Sequence, residues 1–253
     1  MIHVKYNGRM GNNLFQFAMG KILAEELDQG IDSYKGQFSD SILCDGIIQS
    51  QTTSRHTTTT LTGNIVNLDS KPPGDIILDG YFQRSEYYLP HRDKIKQWFA
   101  LPESDFEPNE KDIILHIRRS DFGWDCNNGM LPLAFYGDIL ENGDYDKVYI
   151  TGGCSHAGES KDIDNQVLKY FEKYNPIYVD ESPIDTFRMI KKFKTVVQSM
   201  STFCWWACFL SDDVKQVYTP IVNEGYWTKD GDVDLRIDND KYIYIDNIDV
   251  EKF

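Results

Sequence analysis

The chain is poor in positive charge, in thiols and in long apolar runs. Lysine and arginine number 26 against 40 aspartates and glutamates, for a net charge of -14. A surface that acidic repels a phosphate backbone and argues against nucleic-acid partners. The five cysteines (Cys44, Cys126, Cys154, Cys204 and Cys208) are odd in number and none forms a C-x-x-C pair. This predicts reduced thiols in a cytoplasmic protein, without a disulfide framework or a zinc site. No apolar run approaches the roughly 18 residues a membrane span needs. The N-terminus lacks the basic and then apolar order of a secretory signal. What is present is a globular composition: 253 residues, 41% hydrophobic and 13% aromatic, enough for one large domain or two small ones.

Ile2, Val4 and Tyr6 alternate with polar residues and predict a first strand. Gly8-Arg9-Met10-Gly11-Asn12 follows as a glycine-bearing turn. Leu14, Phe15, Ala18, Met19, Ile22, Leu23 and Leu27 then recur at helical spacing, with Asn12 or Asn13 available as N-cap. Thr57 to Thr60 form a β-branched polar run that suits an edge strand or an exposed loop. Ile76-Ile77-Leu78 predicts another strand, ending at Asp79-Gly80-Tyr81-Phe82-Gln83, and Tyr87 to Phe99 a helix. The polar, proline-containing connection from Leu101-Pro102 to Glu110 divides an N-terminal domain, 1-105, from a C-terminal domain, 106-253.

The second half alternates strand and helix. Strands are expected at Ile113 to Ile117, Val148 to Thr151, Ile177 to Val179, Thr195 to Val197 and Val217-Tyr218 before Pro220. Helices are expected at Leu133 to Leu140, Asn165 to Tyr174, Pro183 to about Phe193 behind a Ser182 cap, and Ser201 to Leu210. Such alternation predicts an α/β protein with parallel, doubly wound sheets. The acidic, tyrosine-rich tail from Gly225 shows no assignable pattern.

Three segments stand where a strand gives way to a turn. In the Gly8 to Asn13 turn, glycines allow close backbone approach to a ligand and a helix start offers N–H groups to an anion. An ordinary tight turn has the same pattern. The second segment, His116-Ile117-Arg118-Arg119-Ser120-Asp121, puts two guanidiniums just past an apolar strand. Burying both without an anion is costly, and the planar fork of arginine fits phosphate oxygens. The bland alternative is a structural ion pair between one arginine and Asp121. The third, Ser199-Met200-Ser201-Thr202-Phe203-Cys204-Trp205-Trp206, offers hydroxyls at a helix start. Its tryptophans also fit plain packing.

Together these segments resemble one family. Gly8 to Ala18 is similar to the opening "G-x-x-G-N-Q-x-F-Q-Y-A" of the α-1,2-fucosyltransferases, family 11 of the glycosyltransferases. Gly80-Tyr81-Phe82-Gln83 with Ser85-Glu86-Tyr87-Tyr88 resembles "G-Y-F-Q-S-x-x-Y-F", His116 to Asp121 resembles "H-x-R-R-G-D", and Ser201 to Trp206 resembles "S-S-F-S-W-W". The order and rough spacing hold from residue 8 to about 220.

The resemblance implies a GT-B architecture, with two Rossmann-like domains whose parallel sheets face a central cleft. It also implies inverting transfer of L-fucose from GDP-fucose to a glycan hydroxyl such as the 2-OH of galactose, with no metal or other cofactor. Arg118 would then meet the β-phosphate, and Arg119 would share it or hold the strand end. His116 would orient the loop or touch the nucleotide. Asp121 would fix an arginine, contact guanine or ribose, or act as base. Asn12, with Gly11 beside it, would lie near the phosphate or the acceptor hydroxyl. Ser201, Thr202, Phe203 and Trp205 would line the nucleotide from the other side.

The chain departs from the family pattern in several places. Ser120 replaces a glycine, Asn13 a glutamine, Cys204 a serine and Ala207 a glycine. Thr151-Gly152-Gly153-Cys154-Ser155-His156 stands where "F-S-D-D" is usual, so the acidic residues of that stretch have no counterpart here.

Rival readings rest on thinner patterns. Asp-x-Asp pairs at Asp144/Asp146, Asp162/Asp164, Asp230/Asp232, Asp232/Asp234 and Asp238/Asp240 could hold a divalent ion, but none directly follows an apolar strand. Gly153 to Ala157 lacks the second glycine of a nucleophile elbow. A transferase using another nucleotide sugar, or a non-catalytic nucleotide-sugar or glycan-binding module, is the remaining alternative.

Overall fold

The computed structural model describes residues 1–33, 57–66, 72, 74–119, 129–152, 161–224, 227–228 and 231–251. The chain divides into two compact units, Met1–Pro102 with Asp232–Arg236, and Glu103–Gly231 with Ile237–Phe253. The expected boundary after residue 105 thus lies close to the observed one. Asp232–Arg236, expected in the second domain, belongs instead to the first unit. It is held there by Ser85 N donating to the Asp234 carbonyl (2.7 Å) and by Asp234 N donating to the Gln83 carbonyl (3.0 Å).

The first unit holds a four-stranded sheet in the order β2-β1-β4-β3, with β1 Ile2–Val4, β2 Ile31–Ser33, β3 Thr58–Gly63 and β4 Asp75–Gly80. All its pairings are parallel. The threonine run Thr57 to Thr60 enters the sheet as the edge strand β3. Helix α1, Met10–Glu26, lies on the sheet and is buried on nearly all sides. Gly20 permits this approach, because a methyl group there would sit 2.5 Å from Val4 Cγ2 and 3.0 Å from Ile31 Cδ1.

The helix expected from Tyr87 to Phe99 is shorter. Ser85–Tyr87 and Leu89–His91 form two 3-10 turns, and α2 spans only Arg92–Trp98. Pro90 accounts for the difference: it lacks an N–H and disfavours α geometry at the residue before it.

The second unit holds a six-stranded sheet, all of its pairings parallel, in the order β10-β9-β8-β5-β6-β7. Its strands are β5 Ile113–His116, β6 Val148–Thr151, β7 Ile177–Tyr178, β8 Thr195–Val197, β9 Gln216–Val222 and β10 Tyr242–Ile248. The helices between them are α3 Leu133–Asn142, α4 Lys161–Phe171, α5 Pro183–Ile190 and α6 Thr202–Leu210. As expected, Ser182 caps α5, its Oγ accepting from Asp185 N. β5, β6 and β8 are nearly all buried, as continuous apolar runs in a parallel sheet require.

Strand β9 runs through Pro220 rather than stopping before it. Pairing with β8 ends at Tyr218, so Pro220 has only β10 beside it and its missing N–H costs little there. The unassigned tail supplies β10.

Candidate functional site

In the second unit the strand order reverses once: β6 and β7 add on one side of β5, while β8, β9 and β10 add on the other. The loops after β5 and β8 therefore diverge, and open α/β sheets gather ligands beyond the carboxyl ends of such a pair. His116 closes β5, and Ser199 follows β8 closely. His116 is buried, and its Nδ1 lies 2.8 Å from Ser199 Oγ. Its carbonyl accepts from the Tyr136 hydroxyl of α3 at 3.3 Å. Burial holds that hydroxyl well above the ordinary tyrosine range.

The two arginines part. Arg118 is half-buried, and its Nη1 donates to the Met200 carbonyl at 3.4 Å, which sets the guanidinium beside the start of α6. Arg119 is only 2% exposed. Its Nη1 donates to the Leu131 carbonyl (3.3 Å) and its Nη2 to Glu251 Oε2 (3.1 Å). Of the two roles expected for Arg119, sharing a phosphate or holding the strand end, these bonds match the second. Successive residues leaving a strand point to opposite faces, which sends one guanidinium out and the other in.

Ser201 caps α6, its Oγ accepting from Cys204 N at 3.4 Å, and Thr202 begins the helix. Phe203 is half-buried, its ring 6.0 Å from that of His116 and 5.4 Å from that of Phe187. Trp205 departs from expectation. It is fully buried and stacked on Phe209 at 4.7 Å, so it serves the core rather than a ligand. The reason is local: Thr202–Leu210 is apolar on almost every side, and burial takes nearly all of it. Asp121 and Ser120 lie outside the described residues, as do Gly153 to His156.

In the first unit β1 and β4 are neighbours at the centre of the sheet. Neutral amides gather at their carboxyl ends, beside the Lys5–Asp79 ion pair. Asn12 Oδ1 accepts from Gln83 Nε2 at 3.0 Å, and Gln83 N donates to Asn64 Oδ1 at 3.0 Å. Asn13 Nδ2 donates to the Asn7 carbonyl and to Gln16 Oε1, both at 3.1 Å, and Gln16 Nε2 reaches the Gly80 carbonyl at 3.0 Å. Asn12 and Asn13 are thus inside α1, not its N-cap. Arg9 takes the cap position with no side-chain cap bond, and the asparagine amides are spent across the turn. Gly11 is buried in the first helical turn. Gly8 (φ +81°) lies under Asn12, where a methyl group would come within 2.3 Å of Asn12 Nδ2.

Sequence reading missed Ser199 and Tyr136 as partners of His116, Glu251 as the partner of Arg119, and the Gln16 and Gln83 amides. Gln83 carried a signal, since it follows the end of β4 at Gly80 by three residues. Glu251 carried none, being far off in sequence. Two of the Asp-x-Asp carboxylates have cations bound: Asp144 pairs with Lys111, and Asp234 with Arg236. A cavity of about 590 Å³ lies between α3 and β10 of the second unit, lined by Phe135, Ile139, Tyr218, Ile245 and Ile248 among others. It holds none of the expected site residues. Among the described residues no helix is long and apolar enough to cross a membrane. The chain matches no protein-family model and none of the curated proteins.

Proposed function

We propose that this chain is an inverting glycosyltransferase of GT-B type that moves L-fucose from GDP-fucose to a glycan hydroxyl, the 2-OH of galactose, without a metal ion. The acceptor oxygen attacks the anomeric carbon from the face opposite GDP and its proton passes to a base. The bond to GDP breaks and its electron pair leaves with the diphosphate. Asp121 is the carboxylate that the motif offers as base.

The observation that carries this reading is the placement of Arg118. Its guanidinium reaches the Met200 carbonyl, at the start of α6, across the β5–β8 reversal. A fixed cation beside the N-terminal N–H groups of a helix suits a diphosphate whose charge grows as the sugar departs. Read from β7, the strand order is also that of doubly wound sheets that bind dinucleotides, 3-2-1-4-5-6. The neutral amides of the first unit suit hydroxyl groups of an acceptor.

Arg118→Ala tests the reading. Transfer of labelled fucose should be abolished and GDP affinity should fall, while the thermal unfolding profile stays near that of the parent. Unchanged transfer would sink it. Transfer should also persist in excess EDTA; its loss there would return the Asp-x-Asp pairs to consideration. The departure from the family pattern at Thr151 to His156 favours a second reading, in which the donor is a different nucleotide sugar. Thermal shift with a panel of nucleotide sugars separates the two. Binding without any release of GDP would instead mark a non-catalytic module.

A further inference from the structure

A parallel sheet is stable when helices cover both of its faces. In the second unit the chain runs from β5 to β7 through α3 and α4, then from β7 back to β9 through α5 and α6. Right-handed crossovers put the first pair of helices on one face and the second pair on the other. On the α3 face, helices therefore serve the β5–β7 side, and among the described residues none follows over β9 and β10. The cavity of about 590 Å³ lies there, within the size range of small-molecule sites.

Its floor is set by register. Tyr218 of β9 pairs with Ile243 and Pro220 with Ile245, so these residues share one face of the sheet. Ile245 and Ile248 are three apart and would face opposite ways in a regular strand. Between them β10 advances three residues while β9 advances only two, from Pro220 to Val222. That one-residue bulge, with Asn247 at φ +62°, brings both isoleucines to the cavity. Phe135 and Ile139, one turn apart on α3, form the opposite wall.

The rim is acidic. Asp138 on α3 and Asp249 just past β10 are exposed and line the cavity, and no lysine or arginine does. Other carboxylates nearby are neutralised: Glu141 of the same helix pairs with Lys173, and Asp144 beyond it with Lys111. Among the described residues Asp138 has no such cation, and Asp249 accepts from the neutral Asn223 amide at 2.7 Å. Apolar walls with two uncompensated carboxylates at the rim complement an apolar body that bears a positive charge.

We propose that this cavity is a binding site for a small amphipathic amine. The apolar body lies between α3 and the bulged end of β10, and the ammonium meets Asp138 and Asp249. The site has no residue in common with the β5–β8 edge, and the proposal does not rest on the glycosyltransferase reading.

Three probes of similar size test it on the full chain: phenethylamine, the neutral phenethyl alcohol and the anion hydrocinnamate. In 15N–1H correlation spectra the amine should shift the backbone signals of Phe135, Ile139, Ile245 and Ile248 to saturation, with a Kd of about 1 mM or tighter. The alcohol should bind about three- to tenfold more weakly, and the anion not measurably. Raising the salt should narrow the gap between amine and alcohol. Asp138→Asn combined with Asp249→Asn should bring the amine down to the affinity of the alcohol. Ala134→Trp, from an exposed position on α3 that also lines the cavity, should abolish binding of both. Thermal unfolding of each variant should stay near that of the parent; should Ala134→Trp fold poorly, the paired aspartate variant decides. Equal affinity for amine and alcohol, an amine affinity unchanged in the paired variant, or no shift at the lining residues overturns the proposal.

Discussion

The carboxyl edges of the two sheets are alike in build and unlike in chemistry. At each, a turn, a helix start and a neighbouring strand end come together at the edge of a parallel sheet. Between β1 and β4 the groups are mostly uncharged amides, Asn7, Asn12, Asn13, Gln16 and Gln83, with the Lys5–Asp79 ion pair beside them. Between β5 and β8 they are a guanidinium, an imidazole and hydroxyls: Arg118, His116, Ser199 and Ser201. Parallel sheets dictate where a ligand can approach, and the side chains there decide its charge. An amide-lined edge holds hydroxyl groups without strongly favouring an anion. A cation beside a helix start favours phosphate.

Making the second edge resemble the first should give the largest effect. Arg118→Gln replaces the guanidinium by a shorter, neutral amide. Loss of a charge-assisted bond costs about 1.5–3 kcal/mol, so GDP affinity should fall roughly 10- to 150-fold by titration calorimetry. The loss in turnover should be larger, because charge on the leaving diphosphate is greatest in the transition state. Equal losses in turnover and affinity would mean that Arg118 binds GDP without stabilising its departure.

Arg119 separates binding from architecture at that edge. Glu251→Gln leaves its buried guanidinium facing a neutral amide, which should cost about 1–3 kcal/mol in chemical denaturation. GDP affinity per folded molecule should stay within about twofold. A loss of affinity as large as that of Arg118→Gln would return Arg119 to the ligand.

The same arginines show what sequence can disclose. Two adjacent guanidiniums past an apolar strand announce a site, and the period of a strand says that they diverge. Which one turns inward depends on Glu251, far along the chain, and no local pattern encodes that choice. For Trp205 the motif position and the apolar character of its helix point different ways, and burial of nearly all of Thr202–Leu210 places it in the core. Asp232–Arg236 escaped because short polar segments carry no periodicity, and their docking is decided by backbone bonds to Ser85 and Gln83. The alternation of strand and helix was legible because β5, β6 and β8 are buried on both faces and read as unbroken apolar runs.

At the first edge the sharpest probe is Gln83→Glu. Gln83 is fully buried and gives its Nε2 hydrogen to Asn12 Oδ1. A carboxylate there has no hydrogen to offer and faces another oxygen. Destabilisation of about 1–3 kcal/mol is expected, read as a lower denaturation midpoint, with GDP affinity unaltered. A fall in GDP affinity comparable to that of Arg118→Gln would erase the distinction between the two edges.

The smallest expected effect is one that both units share. Tyr88 in the first unit and Tyr136 in the second are buried, and burial raises both hydroxyls above the ordinary tyrosine value. Tyr88 donates to the Phe82 carbonyl at 2.7 Å, steadying a residue held at φ +53°. As pH rises past about 10, these tyrosines lose protons in the unfolded chain but keep them in the folded one. The folded state then binds more protons, so this stability is fully present below the unfolded value and declines as pH rises from there toward the folded one. Each tyrosine contributes at most about 1.4 kcal/mol per pH unit to that slope. Tyr88→Phe and Tyr136→Phe should each flatten the alkaline decline measured by urea titration, by similar amounts, whatever either substitution costs at neutral pH. A slope unchanged in one variant alone would mean that water reaches its hydroxyl at high pH, and that the two interiors differ as much as the two edges do.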